Sequence, residues 1–125
     1  MTSDRLGVGI VGSGFVADFH VRGWQAIRGA DITGLYSRNE ASARDLAATC
    51  RQLETGDPTV HADLRALVRD PAVDALWITT PNEVRVEQVE AVCEEVAAGR
   101  AELRGIAIEK PLARNVREAK QVLAA

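Results

Sequence analysis

Aromatic residues, cysteines and long apolar runs are all scarce in this sequence, and each shortage excludes a class of protein. Aromatic residues make up 4% of the 125 residues, so alanine and valine have to fill much of the core. The longest uninterrupted apolar runs, such as 75–78, contain four residues, whereas a transmembrane helix needs about 20. Basic residues do not outnumber acidic ones (15 against 18), so the chain lacks the positive field that attracts nucleic acids. We therefore expect a soluble, cytoplasmic protein that binds neither membranes nor nucleic acids.

The two cysteines do not form a metal-binding or redox motif. Cys50 and Cys93 lie far apart without a CxxC pair or a Cys/His cluster, and His20 and His61 are the only imidazoles in the sequence. Two reduced thiols on helix faces, with no metal site, are therefore expected. The apolar stretch 6–11 is interrupted by glycines and is not followed by a cleavage-like run, so no signal peptide is predicted.

Short apolar runs alternate with helical patterns along the whole chain. The runs are too short and too rich in β-branched residues to be helices, so they indicate strands. The predicted strands are 6–11, 31–36, 59–61, 73–80 and 104–108. Strands that alternate with helices imply right-handed crossovers and a parallel sheet. We therefore predict one doubly wound α/β domain of the Rossmann type, with about five strands, over residues 1–125.

The predicted helices show apolar residues at three- and four-residue spacing, and several begin at capping residues. Asp63 can cap a short third helix, and Asn82 after Pro81 is placed to cap the fourth. Asn115, with Glu118 three residues later, resembles a capping box for a final helix. The residues expected on the inner face of that helix are Val116, Ala119, Val122 and Leu123.

A glycine-rich loop lies where the first strand meets the first helix. Residues 12–17, Gly-Ser-Gly-Phe-Val-Ala, match the pattern G-x-G-x-x-G/A in that context. Gly12 permits a tight turn, Gly14 lets the backbone approach a pyrophosphate, and Ala17 keeps the helix close to the sheet. The amides and the dipole at the helix N-terminus can bind the negative charge. The predicted dinucleotide-binding residues here are Gly12, Ser13, Gly14, Phe15 and Val16.

These glycines also permit two interpretations other than dinucleotide binding by residues 12–17. Gly7, Gly9 and Gly12 also fit the pattern, but that register would use up the strand that has to precede the loop. A tight turn between strand and helix without any ligand is the second alternative.

The residues after the second strand favour NADP over NAD. An NAD site usually has Asp or Glu about 20 residues beyond the loop, where it binds the ribose hydroxyls. Counting from Ala17 leads to Ser37, Arg38 and Asn39, and no carboxylate is present there. Ser37 can hydrogen-bond a 2′-phosphate, while Arg38 can pair with it and lie over the adenine. Ser37 or Asn39 can instead cap the next helix, a role that is compatible with phosphate binding.

The glycine loop, Thr-Pro-Asn at 80–82 and Glu-Lys-Pro at 109–111 together resemble the N-terminal NAD(P)-binding domain of the Gfo/Idh/MocA oxidoreductase family. The resemblance extends over 8–123, and the Glu-Lys-Pro triplet is more specific than the glycine loop. It implies that Lys110 lies beside the nicotinamide and the substrate hydroxyl, where a cation stabilises a developing alkoxide and relays a proton. It also implies that Glu109 orients Lys110, which makes both residues candidates for catalysis.

The same resemblance implies roles for neighbouring residues. Thr80, Pro81 and Asn82 correspond to the turn that passes under the nicotinamide ribose, so we include them, with Glu109 and Lys110, among the cofactor-binding residues. The family commonly has a cis peptide bond before the proline of Glu-Lys-Pro, which is Pro111 here.

The sequence departs from the family pattern after the fourth strand. The family often has Thr-Pro-Asn-His-x-His there, but Glu83 and Arg85 occupy the two histidine positions. This difference weakens an assignment to a common sugar-dehydrogenase subgroup. His20 is interpreted as a packed or capping histidine rather than a catalytic one, and His61 is given no role.

Family members are usually more than twice as long as this chain. The resemblance implies a second domain, absent here, that closes the substrate site, supplies an Asp and a His, and forms the subunit interface. The parent protein is then expected to be a homo-oligomeric NAD(P)-dependent oxidoreductase acting on a hydroxyl-bearing carbon of a sugar, cyclitol or similar small molecule. The 125-residue chain is expected to bind nucleotide without being catalytically complete. The alternative function is a non-catalytic nucleotide-sensing module of the same fold.

Overall fold

The computed structural model describes residues 4–125, and their strands form a single parallel sheet. The strands are β1 (Leu6–Val11), β2 (Ala30–Tyr36), β3 (Thr59–His61), β4 (Ala75–Ile78) and β5 (Gly105–Ile108). They lie in the order β3-β2-β1-β4-β5, and every neighbouring pair is parallel. The predicted doubly wound α/β fold with five strands is therefore confirmed.

Helices connect the strands and cover both faces of the sheet. Within the described chain, the α-helices are α1 (Phe15–Gly23), α2 (Glu40–Gln52), α3 (Leu64–Arg69), α4 (Arg85–Ala97) and α5 (Val116–Ala124). Short 3-10 turns at Trp24–Ala26 and Asn82–Val84 follow α1 and precede α4. The side chains of Asn39, Asp63 and Asn115 each accept a hydrogen bond from the backbone N–H three residues later, at 3.0, 2.8 and 2.9 Å. The predicted caps at Asp63 and Asn115 are confirmed, and Asn39 caps α2.

The core is aliphatic, as the scarcity of aromatic residues requires. One apolar cluster lies between the sheet and helices α1 and α2, and a second lies between the sheet and helices α3, α4 and α5. Side chains along β1 alternate between them, with Ile10 in the first cluster and Val11 in the second. Trp24 is the only aromatic residue in the buried core of residues 4–125. Cys50 on α2 is buried and Cys93 on α4 is partly buried, and both are free thiols.

The start of α4 differs from its prediction. Asn82 does not cap the helix; it begins the 3-10 turn, and α4 starts at Arg85 without a side-chain cap. The turn after Pro81 brings Arg85, which is 1% exposed, into the interior, where its guanidinium reaches backbone carbonyls. The predicted strand 73–80 is also shorter, because the chain leaves the sheet after Ile78 to make this turn.

The inner face of α5 is narrower than predicted. Val122 is buried and Ala119 is partly buried, as expected, but Val116 and Leu123 are 70% and 79% exposed. The helix packs on α4, and its buried positions are Glu118 and Val122, which lie one turn apart. Val116 and Leu123 therefore lie outside the buried face of α5, which packs on α4.

Part of the sheet face that α1 covers remains open, over β4 and β5. Side chains from α1, β1, β4 and β5, including Phe19 and Trp77, line a groove of about 580 Å³.

None of the helices within residues 4–125 has the length and the apolar run that a membrane crossing requires.

Candidate functional site

The candidate site lies at the carboxyl edge of the sheet, where the loops after β1, β2, β4 and β5 meet. The strand order reverses between β1 and β4, and such a reversal opens a crevice at this edge of a doubly wound sheet. The cofactor-binding residues predicted from the sequence all lie on these four loops or in the first turn of α1. The topology thus gathers segments that are distant in the sequence.

Gly12 and Gly14 shape the loop after β1. Gly12 has a φ of +111°, and a Cβ added to it would lie 2.6 Å from Thr79 Oγ1. Because this conformation and this contact both exclude a side chain, only glycine fits at position 12. Gly14 precedes α1 as its N-cap residue, has a φ of −83°, and makes no side-chain cap. A Cβ added to Gly14 would meet no atom within 4 Å, so the backbone of this turn is open to a ligand.

The first turn of α1 is exposed beside this loop. Phe15 is 83% exposed and Val16 is 37% exposed, whereas Ala17 is buried against the sheet. Since the first N–H groups of a helix have no partner within the helix, this end can bind an anion.

Serine hydroxyls connect the loops after β1 and β2. Ser37 Oγ accepts a hydrogen bond from Ser13 Oγ (2.7 Å) and another from the Asn39 N–H (3.2 Å). Ser42 Oγ donates to the Ser13 carbonyl at 3.1 Å. Because the Ser37 oxygen accepts the hydrogen bonds from Ser13 and Asn39, the hydrogen of the Ser37 hydroxyl remains available to donate to a ligand. The neighbouring Arg38 is exposed and forms no ion pair with any residue from 4 to 125.

The turn after β4 is held against β1. The Thr79 N–H and Oγ1 both donate to the Val11 carbonyl, at 2.9 and 2.8 Å. Thr80 Oγ1 donates to Oε1 of the buried Gln88. Pro81 is exposed and Asn82 is partly buried at the start of the 3-10 turn. The Thr-Pro-Asn turn is therefore held by hydrogen bonds to Val11 and Gln88, and Pro81 at its tip is exposed.

The Glu-Lys-Pro loop leaves β5 at the same edge. The Glu109 N–H donates to the Ile78 carbonyl at 3.0 Å, and the Lys110–Pro111 peptide bond is cis, as the resemblance implied. Lys110 is exposed, whereas Glu109 is partly buried. Glu109 Oε1 lies 2.5 Å from His20 Nε2, and this contact is the main reason that the pKa of Glu109 lies below its usual value.

The contacts that make His20 and Arg85 functional candidates in this site were not predicted from the sequence. His20 is packed, as predicted, with its ring centroid 4.4 Å from that of Trp77, but it also binds Glu109. In the sequence Arg85 is only a departure from the family pattern, but in the structure its guanidinium donates to the Thr80 and Glu109 carbonyls at 2.7 and 2.6 Å. A signal for Arg85 was available, because it precedes Val89 by one helical turn on the apolar stripe of α4.

Comparison with known proteins agrees with this geometry. Residues 6–125 match the Gfo/Idh/MocA model, which is described as an oxidoreductase family with an NAD-binding Rossmann fold. The inositol 2-dehydrogenase of Paracoccus denitrificans is 29% identical over 121 residues, which are 96% of this chain and 33% of that protein. The chain thus spans about a third of the length of the curated relatives it matches.

Solved structures show the same arrangement of elements. The crystal structure of an NAD-binding oxidoreductase from Klebsiella pneumoniae has a TM-score of 0.71 at 30% identity and covers 98% of this chain, with 31% of its own length matched. The myo-inositol dehydrogenase of Lactobacillus casei, solved with NAD(H) and myo-inositol, has a TM-score of 0.78 at 21% identity and shows the fold alone; 96% of this chain and 32% of that one are covered. Fold, loop geometry and family match coincide over nearly all the described residues, and the chain belongs to the Gfo/Idh/MocA oxidoreductase family as its NAD-binding Rossmann domain.

Proposed function

We propose that this chain binds a nicotinamide dinucleotide along the carboxyl edge of the sheet. In the protein to which it belongs, it would serve an oxidoreductase that moves a hydride to or from a hydroxyl-bearing carbon of a sugar, cyclitol or similar small molecule. The observation that supports binding most directly is the open backbone at Gly14, directly before the uncapped α1. A pyrophosphate there would receive the first N–H groups of the helix and the favourable end of its dipole.

The loop after β2 favours NADP. Structures of similar fold contain NAD(H) in one case and NADP in another, so the fold does not decide between the cofactors. At the end of β2 the chain has the Ser37 hydroxyl, with its hydrogen free to donate, and the exposed Arg38 guanidinium. A 2′-phosphate would gain a charge-assisted hydrogen bond and an ion pair there. A ribose with free hydroxyls would find no carboxylate to bind it.

Lys110 and Glu109 are the residues that we propose for catalysis. When bound, the nicotinamide supplies the carbon that accepts or donates the hydride. The exposed Lys110 ammonium can stabilise negative charge on the substrate oxygen and pass a proton to or from it. Glu109, whose pKa is lowered chiefly by its hydrogen bond with His20, places a negative charge beside Lys110. The turn at Thr80, Pro81 and Asn82 faces the same crevice and would contact the nicotinamide ribose.

We further propose that the chain by itself binds cofactor without turning over substrate. The resemblance assigns to a second domain the Asp and His of the proton relay, and the imidazole nearest to Lys110 in this site, His20, is engaged with Glu109. Binding is accordingly the property to test on this chain.

The test is a titration of the chain with NADPH and NADH, followed by nicotinamide fluorescence. We expect both to bind and NADPH to bind more tightly; no binding of either would refute the dinucleotide site, and tighter binding of NADH would refute the assignment of Ser37 and Arg38. Gly14→Ala should weaken binding about tenfold, equivalent to 1.4 kcal/mol, because its Cβ occupies the space the pyrophosphate needs. Gly23→Ala is the control, since a Cβ there also meets no atom within 4 Å but lies at the far end of α1.

A further inference from the structure

Arg85 carries a buried positive charge whose two terminal nitrogens donate to backbone carbonyls, while its Nε is buried without a hydrogen-bond partner among residues 4–125. Its side chain is 1% exposed, and within residues 4–125 no carboxylate lies in ion-pair contact with it. One terminal nitrogen donates to the carbonyl of Thr80 at 2.7 Å. The other donates to the carbonyls of Glu109, Pro111 and Leu112, at 2.6, 3.2 and 3.2 Å. Burial lowers the pKa of Arg85, and the charge of Glu109 opposes that shift.

These four carbonyls belong to two loops of the candidate site. Thr80 lies in the turn after β4, and the other three acceptors lie in the Glu-Lys-Pro loop after β5. Neither segment is helix or strand at these positions, so the carbonyls need partners from elsewhere once they are buried. A guanidinium is planar and presents its donors in a fixed fork, so it sets the separation of the groups that it bridges. Arg85, the first residue of α4, therefore forms hydrogen bonds with both loops and fixes their separation.

Hydrogen bonds from Arg85 hold the backbone on both sides of Lys110. The carbonyls of residues 109 and 111 are both fixed by Arg85, which leaves the Lys110 backbone with little freedom, while its side chain remains exposed. The position of the Lys110 side chain relative to the Thr80 turn thus depends on a residue that reaches neither solvent nor the crevice.

We propose that Arg85 is a positioning residue that sets the nicotinamide end of the cofactor site by fastening the Glu-Lys-Pro loop to the Thr-Pro-Asn turn. This inference rests on the proposed function, since it concerns the same site. In this chain an arginine replaces the histidine of the family pattern, and its fork is long enough to serve both loops at once. Arg85 contacts the loops that face the nicotinamide and ribose, whereas the adenosine end would be bound by residues 12–14 and 37–38.

The test uses two ligands that separate the two ends of the site. NADPH spans the whole site, whereas 2′,5′-ADP carries only the adenosine end with its 2′-phosphate. Arg85→Lys keeps the charge but places three donors on a single atom, so it cannot bridge both loops. We expect this variant to bind NADPH about tenfold more weakly, equivalent to 1.4 kcal/mol, and to bind 2′,5′-ADP as the wild type does. Hydrogen exchange should speed up at residues 79–82 and 109–112 and stay unchanged in β1.

A control separates positioning from a general loss of stability. Val92→Ala removes a buried side chain from the same helix, in the apolar cluster rather than at the loops. It should lower the stability of the fold and leave the affinity for both ligands unchanged. If Arg85→Lys does not fold, Arg85→Gln, with a single amide donor group, takes its place in the same measurements.

Distinct outcomes would overturn the inference and the proposed function. Wild-type affinity of the Arg85 variant for NADPH, or an equal loss for both ligands, would show that Arg85 does not position the nicotinamide end. If the wild-type chain binds none of NADPH, NADH and 2′,5′-ADP, the proposed function fails. In that case the exchange rates at residues 79–82 and 109–112 still decide whether Arg85 fastens the two loops.

Discussion

His20 Nε2 and Glu109 Oε1 lie 2.5 Å apart, although the two residues are separated by 89 positions in the sequence. The imidazole reaches Glu109 from α1 while its ring packs against Trp77 of β4. The hydrogen bond from His20 is the largest cause of the lowered pKa of Glu109, and the neighbouring Lys110 contributes in the same direction. The groups that act on this carboxylate are thus His20, through its hydrogen bond, and the cations Lys110 and Arg85. The main cause of the lowered pKa of Glu109 is therefore a residue of α1, the helix that begins at the glycine loop.

Replacing His20 should release this carboxylate. In His20→Phe the aromatic packing on Trp77 is kept but the donor is lost, so the pKa of Glu109 should rise toward its ordinary value. In His20→Gln the amide can still donate, and the pKa should remain low. A carboxyl ¹³C NMR titration of Glu109 in both variants measures the effect. An unchanged pKa in His20→Phe would show that Lys110 and the backbone alone keep Glu109 ionised.

Lys110→Ala should separate chemistry from binding. The Lys110 side chain is exposed, so its loss should leave the fold intact. The affinity of the chain for NADPH should stay close to wild type, because the glycine loop, Ser37 and Arg38 are proposed to supply most of the binding. In a protein that joins this domain to its substrate domain, turnover should fall by about 10²- to 10⁴-fold, the usual contribution of a general acid or base. Retained turnover in steady-state assays would remove Lys110 from the proposed chemistry.

Arg38→Ala should change cofactor preference. Removing the guanidinium should weaken NADPH binding about tenfold, equivalent to 1.4 kcal/mol, and leave NADH binding nearly unchanged, because only NADPH carries a 2′-phosphate. Arg44→Ala is a suitable control, since Arg44 is an exposed arginine on α2 that pairs with Glu40. Fluorescence titrations of both variants with both cofactors provide the comparison. Equal losses for the two cofactors would contradict the phosphate contact.

Because of Glu95, the free energy of unfolding should vary with pH in the acid range. Its side chain is fully buried, and its carboxylate accepts hydrogen bonds from Arg69, Arg100 and Arg65, which lower its pKa strongly. Because the pKa is lowered in the folded state, the stabilisation is complete above the ordinary glutamate pKa, about 4.3. It is lost as the pH falls from there toward the lowered value.

Two glutamate variants test this dependence. Glu95→Gln should unfold at a lower temperature at neutral pH, because three guanidinium groups lose their shared anion, and its stability should vary less below about pH 5. Glu94→Gln should behave nearly like the wild type, since the Glu94 side chain is 64% exposed and, within residues 4–125, forms an ion pair only with Arg65. Thermal unfolding at a series of pH values compares them. Identical pH profiles for Glu95→Gln and wild type would contradict the prediction.

Gly34→Ala should test how closely the sheet packs on α3. A Cβ at Gly34 would lie 2.6 Å from Leu67 Cδ1 and 3.0 Å from Val73 Cγ2. Overpacking of this kind costs about 1–3 kcal/mol, to be measured by urea unfolding. Gly105→Ala is the matched strand variant, because a Cβ there meets no atom within 4 Å and should leave the free energy of unfolding nearly unchanged. A neutral Gly34→Ala would mean that Leu67 moves aside without cost.

Local patterns in the sequence were sufficient to predict the order of the strands and helices and the positions of the loops at the candidate site. Alternating apolar runs and helical periods predicted the five parallel strands, because burial imposes a period on each element wherever it lies. Asp63 and Asn115 cap their helices as predicted, since a cap bonds an N–H group only three residues away. The need for glycine at position 12 could also be recognised, because the tight turn there constrains the backbone locally.

Contacts between distant segments were decided by the tertiary structure. Nothing in the local spacing indicated that His20 would meet Glu109. The position of Arg85 on the apolar stripe of α4 pointed to its burial, but not to the carbonyls of the two loops that its guanidinium reaches. The exposure of Leu123 on α5 depended likewise on which helix packs beside it. Periodicity indicates that a face is apolar, and the glycine pattern indicates that a turn is tight. A hydrogen bond between distant segments, however, requires two loops to meet. That meeting is set by strand order, so the sequence alone determined the elements and the glycine loop, while the fold determined which side chains surround Lys110.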